Sequence, residues 1–378
     1  MKTRALKYKT IKALLTDIAP GIDVIETIPL VDLKPALKET LERLERGLIP
    51  ESYRWNREKT ARAYSYKNYR TWARSIIIAA KYYLTDEQYP EDKAFGQIAR
   101  YTWRNNYRFL KIKLDDIVRR LAEKIESPIK SKTLSNYTSI PEKALFRYSG
   151  IADVGKNSVL ISRNMGSYFV IGEVFTDLEI DFEGKAQLKT PDYSLCGSCT
   201  LCIKACPTQA ILPGGRIAIG RCLQYISENL TLMPHEYREI WGNRLYGCST
   251  CLDICPHNQR LTPWAEKHVT GCVGQGLRLL DALMLKESEW PGIFSDNQIG
   301  IRSYGSFIKN AITSCGSLEY KKSLDYLIPF VSHENEIIRA YTCWALGKLH
   351  TKSTKNILER QYNQEENHLV KSEIERFL

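Results

Sequence analysis

Cys196-Gly-Ser-Cys199-Thr-Leu-Cys202-Ile-Lys-Ala-Cys206-Pro207 is the stretch on which the fold turns. Its spacing, C-x2-C-x2-C-x3-C-P, is that of a bacterial two-cluster ferredoxin. Three thiolates two residues apart wrap a loop around one [4Fe–4S] cubane, and the fourth, followed by proline, ligates a second. A second run appears in degenerate form: Leu245-Tyr-Gly-Cys248-Ser-Thr-Cys251-Leu-Asp-Ile-Cys255-Pro256. Leu245 stands where its first cysteine belongs, and Cys222 is the only other cysteine between the runs. One cluster would then take Cys196, Cys199, Cys202 and the crossing Cys255. The other would take Cys206, Cys222, Cys248 and Cys251. A pair of zinc sites is the alternative. Zinc favours two C-x2-C knuckles, often with histidine, and neither the third cysteine nor the two Cys-Pro pairs fit that pattern.

The remaining cysteines, Cys272, Cys315 and Cys343, lie in helical, apolar settings and read as buried small hydrophobes. No cysteine precedes Cys196 among the 378 residues. Such clustering points to metal or redox chemistry in a reducing compartment. A hydrophobic content of 43% excludes disorder as the main state. The longest aliphatic run, Ile76-Ile77-Ile78-Ala79-Ala80, is far short of a membrane span, and the N-terminus lacks the apolar core of a signal peptide. A cytoplasmic protein with no membrane partner, acting as a monomer, is the expectation.

Around the cysteine block the chain reads as an α+β protein in three parts. Residues 1–190 mix helical spacing (Leu37, Leu41, Leu44, Leu48) with strand-like runs at 74–79, 158–161 and 168–171. A polar stretch leading to Pro191 marks a boundary. Residues 191–262 form the cysteine-rich unit, and residues 263–378 turn helical. There, Asn335–Gly347 carries one apolar stripe that stops at a glycine. With the segment 324–331 it fits either a HEAT-type helix pair or a plain helical bundle.

The net charge is +11. Basic residues and aromatics interleave from Tyr53 to Arg74 and again from Arg100 to Lys111. If the second stretch were one helix, Arg100, Arg104, Arg108 and Lys111 would share a face. Such a stripe suits phosphates, with aromatics stacking on unpaired bases. It suits an acidic redox partner equally well.

The block Arg221-Cys222-Leu223-Gln224-Tyr225-Ile226, the run Trp241-Gly242-Asn243-Arg244, the segment Gly155–Ile161 and the segment Gly166–Asp177 together resemble the epoxyqueuosine reductase family. Arg302, Gly305 and Lys309-Asn310-Ala311 extend the likeness. The resemblance implies an N-terminal α/β cobalamin-binding-type domain like that of reductive dehalogenases. A two-cluster ferredoxin-like domain and a HEAT-like module would follow it. It implies two [4Fe–4S] clusters plus cobalamin, and two-electron reduction of the epoxide of epoxyqueuosine in the tRNA anticodon. A low-potential donor such as flavodoxin or ferredoxin would feed the clusters. On this likeness Gly155, Lys156, Asn157, Ser158 and Tyr225 become candidate cobalamin contacts. Arg302 and Lys309 join Arg100, Arg104, Arg108 and Lys111 as candidate tRNA contacts.

Three positions depart from the family pattern. Asn136 stands where the family has an aspartate proton donor, Asp153 where it has an aromatic residue, and Arg108 where histidine often follows tyrosine. An amide donates hydrogen bonds but cannot deliver a proton as an acid does. All six histidines lie at or beyond His235, so a corrinoid held by the first domain would be base-off. Two other readings remain open. One is a divergent corrinoid reductase with a different substrate. The other is an electron-transfer or activator protein with no substrate of its own.

Overall fold

The structure, a computed structural model, describes residues 5–31, 33–51, 56–65, 70–136, 140–182, 193–263 and 273–378. Parts of the first basic stretch, Tyr137–Ser139, Pro191 and Cys272 lie outside the described residues. The chain divides into two compact units. The first comprises residues 1–85, 105–220 and 250–265; the second comprises 86–104, 221–249 and 266–378. These units do not follow the boundaries expected at 190 and 262.

The first unit is built on a four-stranded antiparallel sheet. Its order is Val24–Pro29, Ser75–Tyr82, Phe169–Thr176, Ser131–Leu134. The aliphatic run at 76–80 is its central core, buried on both faces. A fully buried strand reads as a continuous apolar run rather than an alternating one. One face meets helix Tyr8–Ile18, through Ile11, Leu15 and Ile18, and helix Asn106–Lys124, through Leu110, Leu114, Val118 and Leu121. Gly172 lets the long helix approach, since a Cβ there would meet Leu114 at 3.0 Å and Leu110 at 3.1 Å. The other face packs Ile76, Ile78 and Ala80 with Leu145 and Phe146 of helix Glu142–Ser149. The expected strands at 158–161 and 168–171 appear as Leu160–Ile161 and Phe169–Thr176.

The second unit holds a three-stranded sheet with Phe95–Ile98 at its centre. It pairs parallel with Arg244–Tyr246 and antiparallel with Gly276–Arg278. This pairing makes residues 86–104 part of the second unit. It also explains the degenerate second cysteine run. Leu245 is a fully buried strand residue in an apolar core that includes Ile98, Trp241 and Leu279. A thiolate at that place would face hydrocarbon.

Helices Tyr304–Ser317, Glu336–Lys348, Lys352–Gln364 and His368–Glu375 complete this unit. Asn335 caps the second of them, its side chain accepting from the N–H groups of Ile337 (3.0 Å) and Ile338 (3.3 Å). The helix does not stop at Gly347, as the sequence suggested, but runs on to Lys348. Gly347 is interior because the Phe377 ring fills the space a side chain would need. Gly316 plays the same part against Trp344, where a Cβ would come within 2.9 Å of the Ala345 Cα. Gly316→Ala is therefore expected to destabilise by about 1–3 kcal/mol through overpacking, read as a lowered denaturant midpoint.

The expectation of one helical stripe in the basic stretch is corrected. Arg100 lies in the 3-10 turn Arg100–Thr102, and Arg104 follows in a loop. The helix begins only at Asn106, capped by the Asn105 side chain, which accepts from Arg108 N–H at 3.0 Å. The four cations therefore do not form one helical stripe; only Arg108 and Lys111 share a helix face, and both are exposed. Among the described residues, no helix is long and apolar enough to cross a membrane.

Candidate functional site

In the first unit, the turn of Cys196–Cys202 and the N-terminus of the short helix Pro256–Gln259 bring four thiols together. Cys255 is the N-cap of that helix, its carbonyl accepting from Asn258 N–H at 2.8 Å. Proline at the first helical position suits this start. Burial raises the Cys202 thiol pKa, and the neighbouring Cys196, Cys255 and Cys199 raise it further. Burial likewise raises that of Cys255, with Cys196 and Cys199 adding to it. All four are free thiols. Cys202 and Cys255 therefore resist ionisation until a metal compensates the charge, and the donor chemistry of the four thiols fits an iron–sulfur cubane.

The segment Gly155–Ser158, the candidate cobalamin contact, clasps the cysteine loops. The Lys156 N–H donates to Cys196 Sγ at 3.4 Å. Its ammonium donates to Gly197 O (2.6 Å) and Cys199 O (3.0 Å). Asn157, almost fully buried, donates to Cys251 O at 3.3 Å. Gly155 and Ser158 close the turn between them, the Ser158 N–H donating to Gly155 O at 2.7 Å. An N–H donated to a cluster thiolate stabilises its negative charge, and hydrogen bonds of this kind tune cluster potential.

Sequence reasoning missed a second set of ties. His257 Nε2 donates to Leu195 O at 2.8 Å, linking the two cysteine loops. Asn258 accepts from Ser167 N–H (2.7 Å) and donates to Leu252 O (2.8 Å). Tyr168 O–H donates to Asp253 at 3.0 Å. His257 and Asn258 directly follow Cys255-Pro256, so their position beside the ligand was the available signal.

A cavity of about 580 Å3 opens in the same unit, lined by Asp23, Tyr82, Arg163, Asn164, His257 and Arg260 among others. Its place on the sheet follows from register. Val24 pairs with Ala80, and Ala80 with Ile171. Ser135 donates to Ile171 O at 2.8 Å, and Asn136 follows it. Asp23, Tyr82 and Asn136 thus lie at one end of the sheet, its outer strands about 14 Å apart. Asn136 is exposed and holds φ +54°, a left-handed conformation that asparagine tolerates.

In the second unit, Cys222 caps helix Leu223–Ser227. Gln224 Oε1 accepts from Cys248 N–H at 3.3 Å, and Ser227 Oγ accepts from Gly247 N–H at 3.0 Å. Gly247 has φ +82°, and a Cβ there would lie 2.8 Å from Gln224 Oε1. Tyr225 is half-buried against the core of this unit.

Lys309 is not a nucleic-acid contact. It is fully buried and donates to Ile226 O (2.8 Å) and Asn229 O (2.7 Å). Burial, with Arg238 adding to it, pulls its pKa down to about 7. Beside it, Asn310 donates to Ser227 O (2.9 Å) and Leu245 O (2.8 Å). The pair therefore anchors the segments that carry Cys222 and Cys248. Lys309→Met would strand two buried carbonyls and is expected to cost about 1–3 kcal/mol of stability, measured by chemical denaturation.

Arg302 is engaged as well, paired with Glu228 at 2.9 Å and donating to Tyr246 O–H at 3.2 Å. Arg100 donates to Glu87 O (2.6 Å) and stacks on Trp103 at 4.8 Å. Cys315 and Cys343 are fully buried, and burial pushes both thiols up to about 12, as inert core residues require.

Residues 195–258 match the 4Fe-4S double cluster binding domain, which decides for iron–sulfur over zinc. Residues 306–378 match HEAT repeats, which decides the helical module. Epoxyqueuosine reductase of Lactococcus garvieae (strain Lg2) is 30% identical over 292 residues, covering 74% of this chain and 80% of that protein. The Aliivibrio fischeri (strain ATCC 700601 / ES114) enzyme of the same name is 30% identical over 260 residues; the match covers 66% of this chain and 63% of its own length. A crystal structure of epoxyqueuosine reductase with a tRNA-Tyr epoxyqueuosine-modified tRNA stem loop shares the fold, with a TM-score of 0.87, 23% identity and 98% of each chain covered. With the four-thiol site, the double-cluster match and a relative aligned over most of its length, the chain belongs to the epoxyqueuosine reductase family.

Proposed function

We propose that the chain reduces epoxyqueuosine to queuosine in tRNA, taking two electrons and two protons and releasing water. The observation that carries this reading is the Cys196–Cys199–Cys202–Cys255 set, clasped by Lys156, with Asn157 donating to the neighbouring Cys251 O. Those four cysteines hold one [4Fe–4S] cluster; Cys206, Cys222, Cys248 and Cys251 hold the other. Electrons enter from a low-potential donor of the flavodoxin or ferredoxin class, and the chain works as a cytoplasmic monomer.

Cobalamin, implied by the resemblance, would supply a strongly reducing cobalt centre. Asp23, Tyr82, Arg163, Asn164 and Arg260 would hold it, since their polar groups match the amide-rich rim of a corrinoid. Arg104, Arg108 and Lys111 remain the cations offered to tRNA phosphates. A reaction that opens an epoxide needs a proton at the departing oxygen, and Asn136 cannot supply one.

Asn136→Asp is expected to raise the turnover rate about tenfold or more and to add a fall in rate at alkaline pH, where the new acid ionises. A pH–rate profile unchanged by the substitution would remove position 136 from the proton path. The proposal is tested by anaerobic turnover of epoxyqueuosine-tRNA, read by nucleoside mass spectrometry. Asn136 also favours a second reading, a corrinoid iron–sulfur reductase for another substrate. Filled clusters and bound corrinoid without any queuosine product would select it.

A further inference from the structure

Five side chains of the second unit form a closed polar ring behind the Cys248 loop. Gln224 stands two residues after Cys222, on helix Leu223–Ser227. Its amide nitrogen donates to the Tyr101 hydroxyl (2.7 Å) and to Glu228 Oε1 (2.8 Å). The Tyr101 hydroxyl donates to that of Tyr246 at 3.3 Å, and Tyr246 donates to the same Glu228 oxygen at 3.2 Å. Arg302 closes the ring. Its Nε donates to the Tyr246 hydroxyl (3.2 Å), and its Nη2 pairs with Glu228 Oε2 at 2.9 Å. The two side chains of that ion pair are only 22% and 23% exposed, so solvent screens their charges incompletely.

The ring fixes how the Gln224 amide is turned. With its NH2 group committed to Tyr101 and Glu228, its oxygen is the atom left for Cys248. Gln224 Oε1 accepts from Cys248 N–H at 3.3 Å. Two other cysteines receive a backbone N–H on sulfur instead. Lys156 N–H donates to Cys196 Sγ at 3.4 Å, and Ala210 N–H donates to Cys206 Sγ at 3.2 Å. A hydrogen bond to a ligand sulfur stabilises negative charge there, which grows on reduction, and so raises a cluster's potential. An N–H given to an amide oxygen supplies no such stabilisation.

We propose that Gln224, locked by Tyr101, Tyr246, Glu228 and Arg302, is a positioning residue that keeps the Cys248 N–H from sulfur and so holds the cluster ligated by Cys248 at low potential. The inference rests on the reading that Cys248 is a cluster ligand and is independent of the substrate. A low potential suits a cluster that passes electrons to a strongly reducing centre. Arg302 acts by charge as well, since it offsets the Glu228 carboxylate one side chain away from the Cys248 backbone.

The test is a redox titration of cluster-loaded full-length protein, read by electron paramagnetic resonance on the signal that Cys248→Ser removes. Gln224→Leu takes away the acceptor. It should raise the one-electron reduction equilibrium constant about tenfold, a rise of about 59 mV. Gln224→Glu keeps an acceptor and adds negative charge, so the potential should fall. Arg302→Met leaves Glu228 uncompensated and should lower it too, with Glu228→Gln in the same chain returning it toward wild type. The other cluster's signal should hold its potential throughout. An unchanged or lower potential in Gln224→Leu, or a rise in Gln224→Glu, overturns the proposal. If Gln224→Leu fails to load the cluster, Gln224→Glu and Arg302→Met decide, and the absence of a fall in either overturns it. If Cys248→Ser removes no signal, the ligand assignment falls and this inference with it. If wild type makes no queuosine while the potentials move as stated, the functional reading alone fails.

Discussion

Cys255→Ser is expected to halve the iron content, from about eight to about four atoms per chain, and to abolish turnover. Cys255 belongs by sequence to the second cysteine run, yet its thiol lies within electrostatic range of Cys196 and Cys199. Serine keeps the N-cap function, since the cap uses the Cys255 carbonyl and its extended backbone. The short helix Pro256–Gln259 should therefore survive, and with it the His257 and Asn258 ties. Loss should fall on the cluster of Cys196, Cys199 and Cys202, with the other still visible by electron paramagnetic resonance. Loss of the other cluster instead would mean that Cys255 serves the second set.

The second large effect lies far from the metal chemistry. Arg238 and Glu373 form an ion pair at 2.8 Å with side chains only 2% and 7% exposed. Arg238 also donates to Met233 O at 3.2 Å and stacks over Tyr341 at 4.6 Å. Removing one member of such a pair leaves the other as a buried, uncompensated charge. Arg238→Met should therefore cost about 3–5 kcal/mol in a denaturant titration. His235 sits 3.4 Å from the same Glu373 oxygen. Burial, then Arg238, lower its pKa, so without Arg238 it takes up a proton more readily. The loss should be smaller below the histidine range than above it. Replacing Glu373 by leucine in the same variant should recover much of the stability, because the stranded charge goes too.

The cysteine chemistry was legible because metal ligation fixes residue type and spacing together; seven of the cysteines fall in that pattern, and Cys222 is the one that remains to complete the second set. The buried strand at 75–82 was legible as an unbroken apolar run, and the helix at 336–348 as a capped stripe. What was not legible turned on one local start signal and on partners distant in sequence. The basic run from Arg100 to Lys111 carries helical spacing, but Asn105 is a stronger start signal than the charges around it. Lys309 looked like a surface cation because nothing in its neighbourhood announces two carbonyls waiting in a core. The ties of Lys156 to the cysteine loop had no local signal, since its partners lie about forty residues away. Glu173 sits in an apolar strand and carried no sequence signal of its own. Long-range pairing decides Lys309, Lys156 and Glu173, and no local period encodes it.

The central claim is that this chain removes the epoxide oxygen of epoxyqueuosine in tRNA. The most direct measurement is anaerobic incubation of cluster-loaded, cobalamin-supplemented protein with epoxyqueuosine-tRNA and a low-potential reductant, followed by nucleoside mass spectrometry. The account predicts that epoxyqueuosine disappears and a nucleoside lighter by one oxygen, queuosine, takes its place. Unchanged epoxyqueuosine, in protein whose visible spectrum shows both filled clusters and bound corrinoid, would contradict it.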